Sequence, residues 1–125
     1  MYRYFNANPL GRKVNDCTVR AISLATGKSW DFIYKILSEF ARKEAVMMDN
    51  IKYIDKFLDS NFLKVYSHNS GYKMTVDEAA KEFNRGVYLI TMQNHITCCI
   101  DGTIYDIFNP GDRTVWGIYK VKRTS

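Results

Sequence analysis

One cysteine in this sequence stands where a thiol could act as a nucleophile. Cys17 directly follows Asp16 in the segment VNDCTVRAISLATGKSW, which has the composition of a short, mostly apolar helix. A helix N-terminus favours the thiolate over the thiol, because its free N–H groups stabilise negative charge. The alternative is a structural thiol, since most free cysteines are small core residues. The choice depends on whether the chain supplies a base.

The chain has two histidines, and their surroundings differ. His68 lies in SHNSGYK, a polar stretch with a glycine that predicts an exposed loop. His95 begins HITCCI, whose β-branched and apolar residues predict a strand. A histidine at the start of a strand is the better candidate for a general base. The alternative for His95 is a core histidine with satisfied polar atoms.

A predicted hairpin adds an acid. A two-residue turn at Asp101–Gly102 places His95, Thr97 and Asp106 on one face, with Asp106 diagonal to His95. A carboxylate in that position can orient an imidazole and stabilise imidazolium. Two alternatives stay open. Asn109 could take this place if the strand end loses its pleat, and Asp106 could merely pair with a surface cation.

Four helices are predicted in the first two thirds of the chain, and the first of them positions Cys17. The first is apolar on most sides and ends at Gly27. The others are WDFIYKILSEFARKE, NIKYIDKFLDS and VDEAAKEF. The capping residues, in chain order, are Asp16, Ser29, Asp49, and Thr75 with Glu78.

After Gly86 the pattern changes to that of strands. VYLITMQ, HITCCI, TIYDIF and VWGIYKVK are rich in β-branched and aromatic residues, and FLKVYS predicts a short earlier strand. The fold class is therefore predicted to be α+β, with N-terminal helices packed on a small C-terminal antiparallel sheet. A length of 125 residues fits one domain, spanning residues 1–125.

Composition argues against several classes of partner. The formal net charge of +5 comes from scattered basic residues and not from a basic run, so no nucleic-acid site is predicted. No segment approaches the length that spans a membrane, so no membrane partner is predicted. Three cysteines make a poor disulfide framework, which predicts a reducing, cytoplasmic compartment.

No metal or other cofactor is predicted. Cys98 and Cys99 are neighbours on one strand and point to opposite faces, which excludes a compact pair of thiolate ligands. A zinc site formed by Cys17, His95 and Asp106 is a weaker alternative to a nucleophilic role for Cys17.

The order of these features resembles the papain-like cysteine peptidases. In that family a cysteine heads the first buried helix, a histidine follows on a strand, and Asp or Asn stands on the next strand. The chain is most similar to small, minimal members, including the double-glycine leader peptidases, and to short phage-encoded papain-like proteins. The shared elements are NDC, RA, GKSW and DG-x-x-YD, and the resemblance extends from Asn8 to Trp116.

The resemblance implies a papain-like fold and a thiol protease with a catalytic triad. Cys17 matches the nucleophile, His95 the general base and Asp106 the orienting acid. The family has a glutamine, which helps form the oxyanion hole, about six residues before the cysteine. This sequence has Gly11 there. Asn15 and Gln93 are the candidates to replace that glutamine, together with the backbone N–H of the cysteine.

The sequence therefore predicts a cysteine peptidase or related thiol hydrolase acting on a peptide or isopeptide bond. Its expected partner is a protein or peptide substrate, in the host cytoplasm if the gene is viral. Acyl transfer is an alternative use of the same residues. A different class, a non-catalytic papain-like module that binds or inhibits a host factor, is the competing hypothesis. The sequence sets no oligomeric state.

Overall fold

A computed structural model describes residues 1–70 and 72–123. Four helices form, and their bounds are α1 Cys17–Thr26, α2 Trp30–Glu44, α3 Ile51–Asn61 and α4 Val76–Glu82. The strands are β1 Tyr2–Tyr4, β2 Leu63–Ser67, β3 Val87–Met92, β4 His95–Ile100, β5 Thr103–Asp106 and β6 Gly117–Val121. The fold is α+β, as predicted. None of the helices in the described residues is long and apolar enough to cross a membrane.

The sheet has six strands in the order β1-β5-β4-β3-β6-β2. Four of its five strand pairs are antiparallel, as the sequence predicts, but β1 pairs parallel with β5. The prediction of a purely antiparallel sheet is therefore wrong. The three residues of β1 carry no pattern of their own. They become a strand because the outer edge of β5 offers unpaired N–H and C=O groups.

Alternating residues of the sheet face two separate cores. On one face, Leu89 of β3 and Cys98 of β4 pack with buried residues of α1, α2 and α3. On the other face, Ile90 and Cys99 pack with buried residues of α4. The two adjacent cysteines thus point in opposite directions, which confirms that expectation. Helix α1 packs on β3 and β4 and contacts α2, so it lies between the sheet and another helix.

The predicted helix ends are mostly confirmed. Gly27 ends α1 with φ of 75°, in the left-handed region that favours glycine. Ser29 caps α2, and Thr75 with Glu78 forms the complete capping box of α4. The predicted cap of α3 is wrong by one residue. Asn50, not Asp49, caps that helix, because its side-chain oxygen accepts the hydrogen bond of the Tyr53 N–H.

The hairpin of β4 and β5 has the predicted turn and register. Both residues of the Asp101–Gly102 turn have positive φ, 49° and 80°. The ladder pairs Ile100 with Thr103 and Cys98 with Tyr105. This register fixes which residues meet at the open end of the hairpin.

Candidate active site

Cys17 is the first residue of α1 and is partly exposed. Asp16 occupies the N-cap position, as predicted, but its side chain makes no capping hydrogen bond. The first-turn N–H groups of α1 are therefore free of a side-chain cap at the point where the thiol lies. Such N–H groups favour an anion.

His95 and Asp106 meet at the open end of the hairpin, as the first residue of β4 and the last of β5. His95 Nε2 lies 2.6 Å from Asp106 Oδ2, and the two side chains are 7% and 2% exposed. The ring of Phe108 packs on the imidazole, with ring centroids 4.7 Å apart. The predicted juxtaposition of His95 and Asp106 is confirmed, and the carboxylate restrains the ring from one side.

The thiol of Cys17 lies beside the His95 ring, and each group shifts the pKa of the other. Nε2 bonds to Asp106, which leaves Nδ1 for the thiol. Burial lowers the pKa of His95, but its interactions with Asp106 and Cys17 outweigh burial and raise it to about 9. The structure thus brings Cys17, His95 and Asp106 together, with the imidazole between the thiol and the carboxylate.

The interaction with His95 lowers the pKa of the Cys17 thiol, whereas it raises the pKa of the imidazole. Burial raises the pKa of Cys17, yet the His95 hydrogen bond and charge, the Ile96 N–H and the charge of Arg20 together bring it below its ordinary value. A low thiol pKa and a high imidazole pKa favour the thiolate–imidazolium pair at neutral pH.

Asp106 is held in its ionised form. Burial raises its pKa, but hydrogen bonds from His95 and Thr97 outweigh burial, and the net pKa lies below its usual value. Its Oδ1 also accepts the Ile107 N–H at 2.7 Å. A carboxylate with these partners is an effective orienting group for an imidazolium.

The structure adds two charged residues that the sequence analysis did not assign to the site. Arg20 Nε lies 2.7 Å from Asp16 Oδ1, and Arg20 Nη1 lies 3.4 Å from Asp106 Oδ1. Asp16 Oδ2 accepts hydrogen bonds from Trp30 Nε1 at 2.9 Å and Asn8 Nδ2 at 3.1 Å. The interpretation of Asp16 as only a helix cap is therefore wrong, because its carboxylate is buried and fully used by these hydrogen-bond partners.

A sequence signal for this pair existed. Asp16 and Arg20 are four residues apart, which places both on one side of a helix that is otherwise apolar. A charged residue inside a buried helix needs a partner of opposite charge. The sequence can thus reveal the pair, but not its contact with Asp106.

The two oxyanion candidates lie in different places. Asn15 is exposed and lines a cleft together with Cys17 and His95. Gln93 is exposed in the turn between β3 and β4 and lines a neighbouring cleft that does not include the thiol. Asn94, which the sequence analysis did not single out, lines both clefts. Asn15 is thus the better placed of the two candidates.

The remaining polar candidates lie in other environments. Asn109 is exposed, and its Oδ1 accepts the Gly111 N–H at 3.0 Å. His68 is half-buried in a short 3₁₀ turn and stacks on Trp116, with ring centroids 5.7 Å apart. The hydrogen-bonding acid beside His95 is Asp106 and not Asn109.

Three clefts lie around the thiol and share lining residues, and together they are called the groove. The thiol cleft, about 330 Å³, lies between the start of α3 and the β3–β4 turn. The helix cleft, about 280 Å³, shares Asn15 and Asp49 with it. The turn cleft, about 560 Å³, shares Met92 and Asn94 with it. The thiol cleft thus adjoins the other two at different residues.

The other two cysteines have the surroundings of core residues. Cys98 and Cys99 are both fully buried, and burial raises their pKa values to about 12 and about 11. Within residues 1–70 and 72–123, no group of three or more His, Cys, Asp or Glu side chains is arranged to hold a metal ion. Cys17 is thus the thiol with the surroundings of a nucleophile.

The chain matches no known family model, and neither curated proteins nor solved structures gave a match. A function for this site therefore has to be argued from its own geometry and electrostatics.

Proposed function

We propose that this protein is a papain-like cysteine peptidase or related thiol hydrolase that cleaves a peptide or isopeptide bond. The observation that carries the proposal is the series Cys17–His95–Asp106, with Cys17 at the start of a helix and His95 bonded to a buried carboxylate at 2.6 Å. Covalent thiol catalysis requires a nucleophile, a base and an orienting acid that lie next to one another in this order.

In the proposed reaction, Cys17 Sγ attacks the substrate carbonyl carbon as a thiolate. A C–S bond forms, and the carbonyl π electrons move to oxygen. The backbone N–H of Cys17 and the side-chain amide of Asn15 are the donors for this oxyanion. When the carbonyl re-forms, the C–N bond breaks, and the imidazolium of His95 gives its proton to the leaving amine.

A thioester on Cys17 is then hydrolysed. His95, now neutral, takes a proton from water as that water attacks the thioester carbonyl, and the thiolate leaves. Asp106 keeps the imidazole oriented in both halves of the reaction and stabilises its charged form. It remains ionised throughout.

The groove favours an extended substrate. Clefts of about 280 and 560 Å³ adjoin the thiol cleft at different residues, so chain on both sides of the cleaved bond has room to bind. The helix cleft contains Met47, Met48 and Tyr34, whereas the turn cleft contains Asp112 and Arg113. We expect an apolar substrate side chain on the first side and a charged one on the second.

Loss of the proposed nucleophile or base should abolish turnover. The assay is mass spectrometry of a peptide mixture with wild type, Cys17→Ala and His95→Ala. We expect cleavage products with wild type, and loss of at least about 10³-fold in either variant, as for other catalytic dyads. His68→Ala is the matched control, because it removes the other histidine and should keep full activity. Full activity in His95→Ala would disprove this mechanism.

One observation favours a second function, a non-catalytic papain-like binding module. Gly11, at the position of the family's oxyanion glutamine, has φ of 65° and nothing within 4 Å of where a side chain would begin. That place in the chain thus supplies no donor to the site. If Cys17→Ala retains the biological activity of the protein in its host, the binding function is correct and the hydrolase is not.

A further inference from the structure

The candidate triad is the end of a longer buried series of charges. From the groove inward, the side chains are Cys17, His95, Asp106, Arg20 and Asp16, and their signs alternate when the first two form an ion pair. The Arg20 and Asp16 side chains are only 8% and 7% exposed. Burying a charged pair is costly unless both members are well bonded, so such a pair beside a reactive site needs an explanation.

The carboxylate of Asp106 is shared between two cations. Its Oδ2 lies 2.6 Å from His95 Nε2, and its Oδ1 lies 3.4 Å from Arg20 Nη1. The backbone N–H of Ile107 bonds to that same Oδ1 at 2.7 Å. Rotation of the carboxyl group about its Cβ–Cγ bond would break contacts at both oxygens. The arginine therefore helps to fix the plane in which Oδ2 meets the imidazole.

Arg20 is itself anchored at the opposite end. Its Nε bonds to Asp16 at 2.7 Å, and Asp16 is bonded in turn by Trp30 and Asn8. Among the described residues, no buried side-chain nitrogen or oxygen lacks a hydrogen-bond partner. A fully satisfied buried network holds one geometry, whereas a partly satisfied one is mobile or destabilising.

We propose that Arg20 is a positioning residue for the Cys17–His95 pair: anchored by Asp16, its guanidinium holds the Asp106 carboxylate against the imidazole and places one buried positive charge beside the pair. The effect on turnover rests on the proposed hydrolase function. The effect on the ionisation of the pair does not, because Cys17 and His95 titrate with or without a substrate.

The sign of the electrostatic effect follows from charge. A buried cation is screened little by solvent, and it stabilises a neighbouring thiolate while it destabilises a neighbouring imidazolium. The pKa of the thiol is therefore lower with Arg20 present than without it. On His95 the charge of Arg20 and its hold on Asp106 act in opposite senses, so the thiol is the group to follow. For Cys17, burial raises the pKa and His95 lowers it, and the charge of Arg20 lowers it further.

Other charged or titratable groups also face the pair and its carboxylate. They are Asp16 before α1, Asp49 in the thiol cleft, Tyr2 on β1, Cys98 on β4, and Arg113, which lies over the Phe108 ring that packs on His95.

The test is the pH dependence of Cys17 alkylation by iodoacetamide, followed on the full chain by peptide mapping between pH 4 and 10. Arg20→Met removes the charge, and we expect the midpoint of the Cys17 ionisation to move about 0.5–1 pH unit to higher pH. Arg20→Lys keeps the charge but cannot bridge Asp16 and Asp106 through two nitrogens, so we expect a smaller shift than in Arg20→Met. Arg42→Met is the matched control, because Arg42 is an exposed arginine paired to Glu39 on α2.

Asp16→Asn gives an opposite and independent result, which matters if Arg20→Met fails to fold. It removes the negative charge behind Arg20, so the midpoint of the thiol ionisation should move to lower pH. An unchanged midpoint in folded Arg20→Met, or a move to higher pH in Asp16→Asn, overturns the proposal. If the midpoint moves as expected while no peptide is cleaved, the role of Arg20 stands and the hydrolase function fails.

Discussion

Cysteines lie at the start of α1 and in the interior of β4, in contact with the same sheet. Their thiols nevertheless have opposite properties. Cys17 has a helix N-terminus, an imidazole and a nearby guanidinium, and its pKa lies below the ordinary value. Cys98 and Cys99 are enclosed by apolar side chains, and their pKa values lie well above it. Burial alone makes a thiol inert, and burial beside a cation makes it reactive.

The largest expected effect is the difference in reactivity between these two regions. At pH 7 the buried thiols of Cys98 and Cys99 hold almost no thiolate, whereas the lowered pKa of Cys17 gives that thiol a larger ionised fraction. We expect limited iodoacetamide treatment to label Cys17 at least about 10³ times faster than either core cysteine. Peptide mapping by mass spectrometry measures the ratio. Equal or slower labelling of Cys17 would place it with the structural cysteines.

The second prediction tests what distinguishes the surroundings of Cys17 from those of the core cysteines, by changing only Asp106, the acid bonded to the imidazole. Asp106→Asn keeps the shape of the side chain but removes the charge that orients the ring and supports imidazolium. We expect kcat to fall about 10²–10⁴-fold with little change in KM, because Asp106 does not touch the substrate.

Asn109→Ala is the control for that experiment, since it removes the competing third residue and should leave kcat unchanged. Full activity in Asp106→Ala together with loss of activity in Asn109→Ala would transfer the orienting role to Asn109.

The third and smallest prediction concerns stability between pH 6.5 and 8.5. The pKa of His95 is raised to about 9 in the folded chain, so its stabilisation is present below pH 6.5 and is lost as pH rises towards 9. The pKa of Cys17 is lowered, so its contribution grows over the same window. The two slopes have opposite signs, and we expect the unfolding free energy of wild type to be nearly flat.

Cys17→Ala removes the contribution of Cys17 to the pH dependence of the unfolding free energy. Its unfolding free energy should fall by about 1 kcal/mol as pH rises across the window, because the pKa of His95 is still raised by Asp106. Urea unfolding at three pH values measures this, with Cys98→Ala as the matched cysteine control. A variant as flat as wild type would mean that Asp106 alone does not raise the pKa of His95.

Much of the local structure could be predicted from the sequence, because capping and turn residues act on their near neighbours. Ser29, the Thr75–Glu78 capping box and the Asp101–Gly102 turn each form the predicted element. The turn also fixes the register, and from it the meeting of His95 and Asp106 follows.

The rest depends on tertiary contacts that no local pattern encodes. The strand β1 exists only because β5 has a free edge, and Arg20 reaches Asp106 only because α1 packs on β4. Asp16 shows the same limit in part, since its residue type and position predict a cap, while Asn8 and Trp30 take one carboxylate oxygen and the neighbouring Arg20 takes the other.

The pairing of β1 with β5 sets an order of assembly during synthesis. The carbonyl of Asp106 accepts hydrogen bonds from the Tyr2 hydroxyl and the Phe5 N–H, both at 3.0 Å, so residues synthesised before Cys17 help to fix a part of the site that is synthesised after His95. Contacts so distant in sequence form late, because a long loop must close first. A nascent chain therefore exposes Cys17 well before it holds His95 and Asp106, and its thiol remains unactivated until the sheet closes around it.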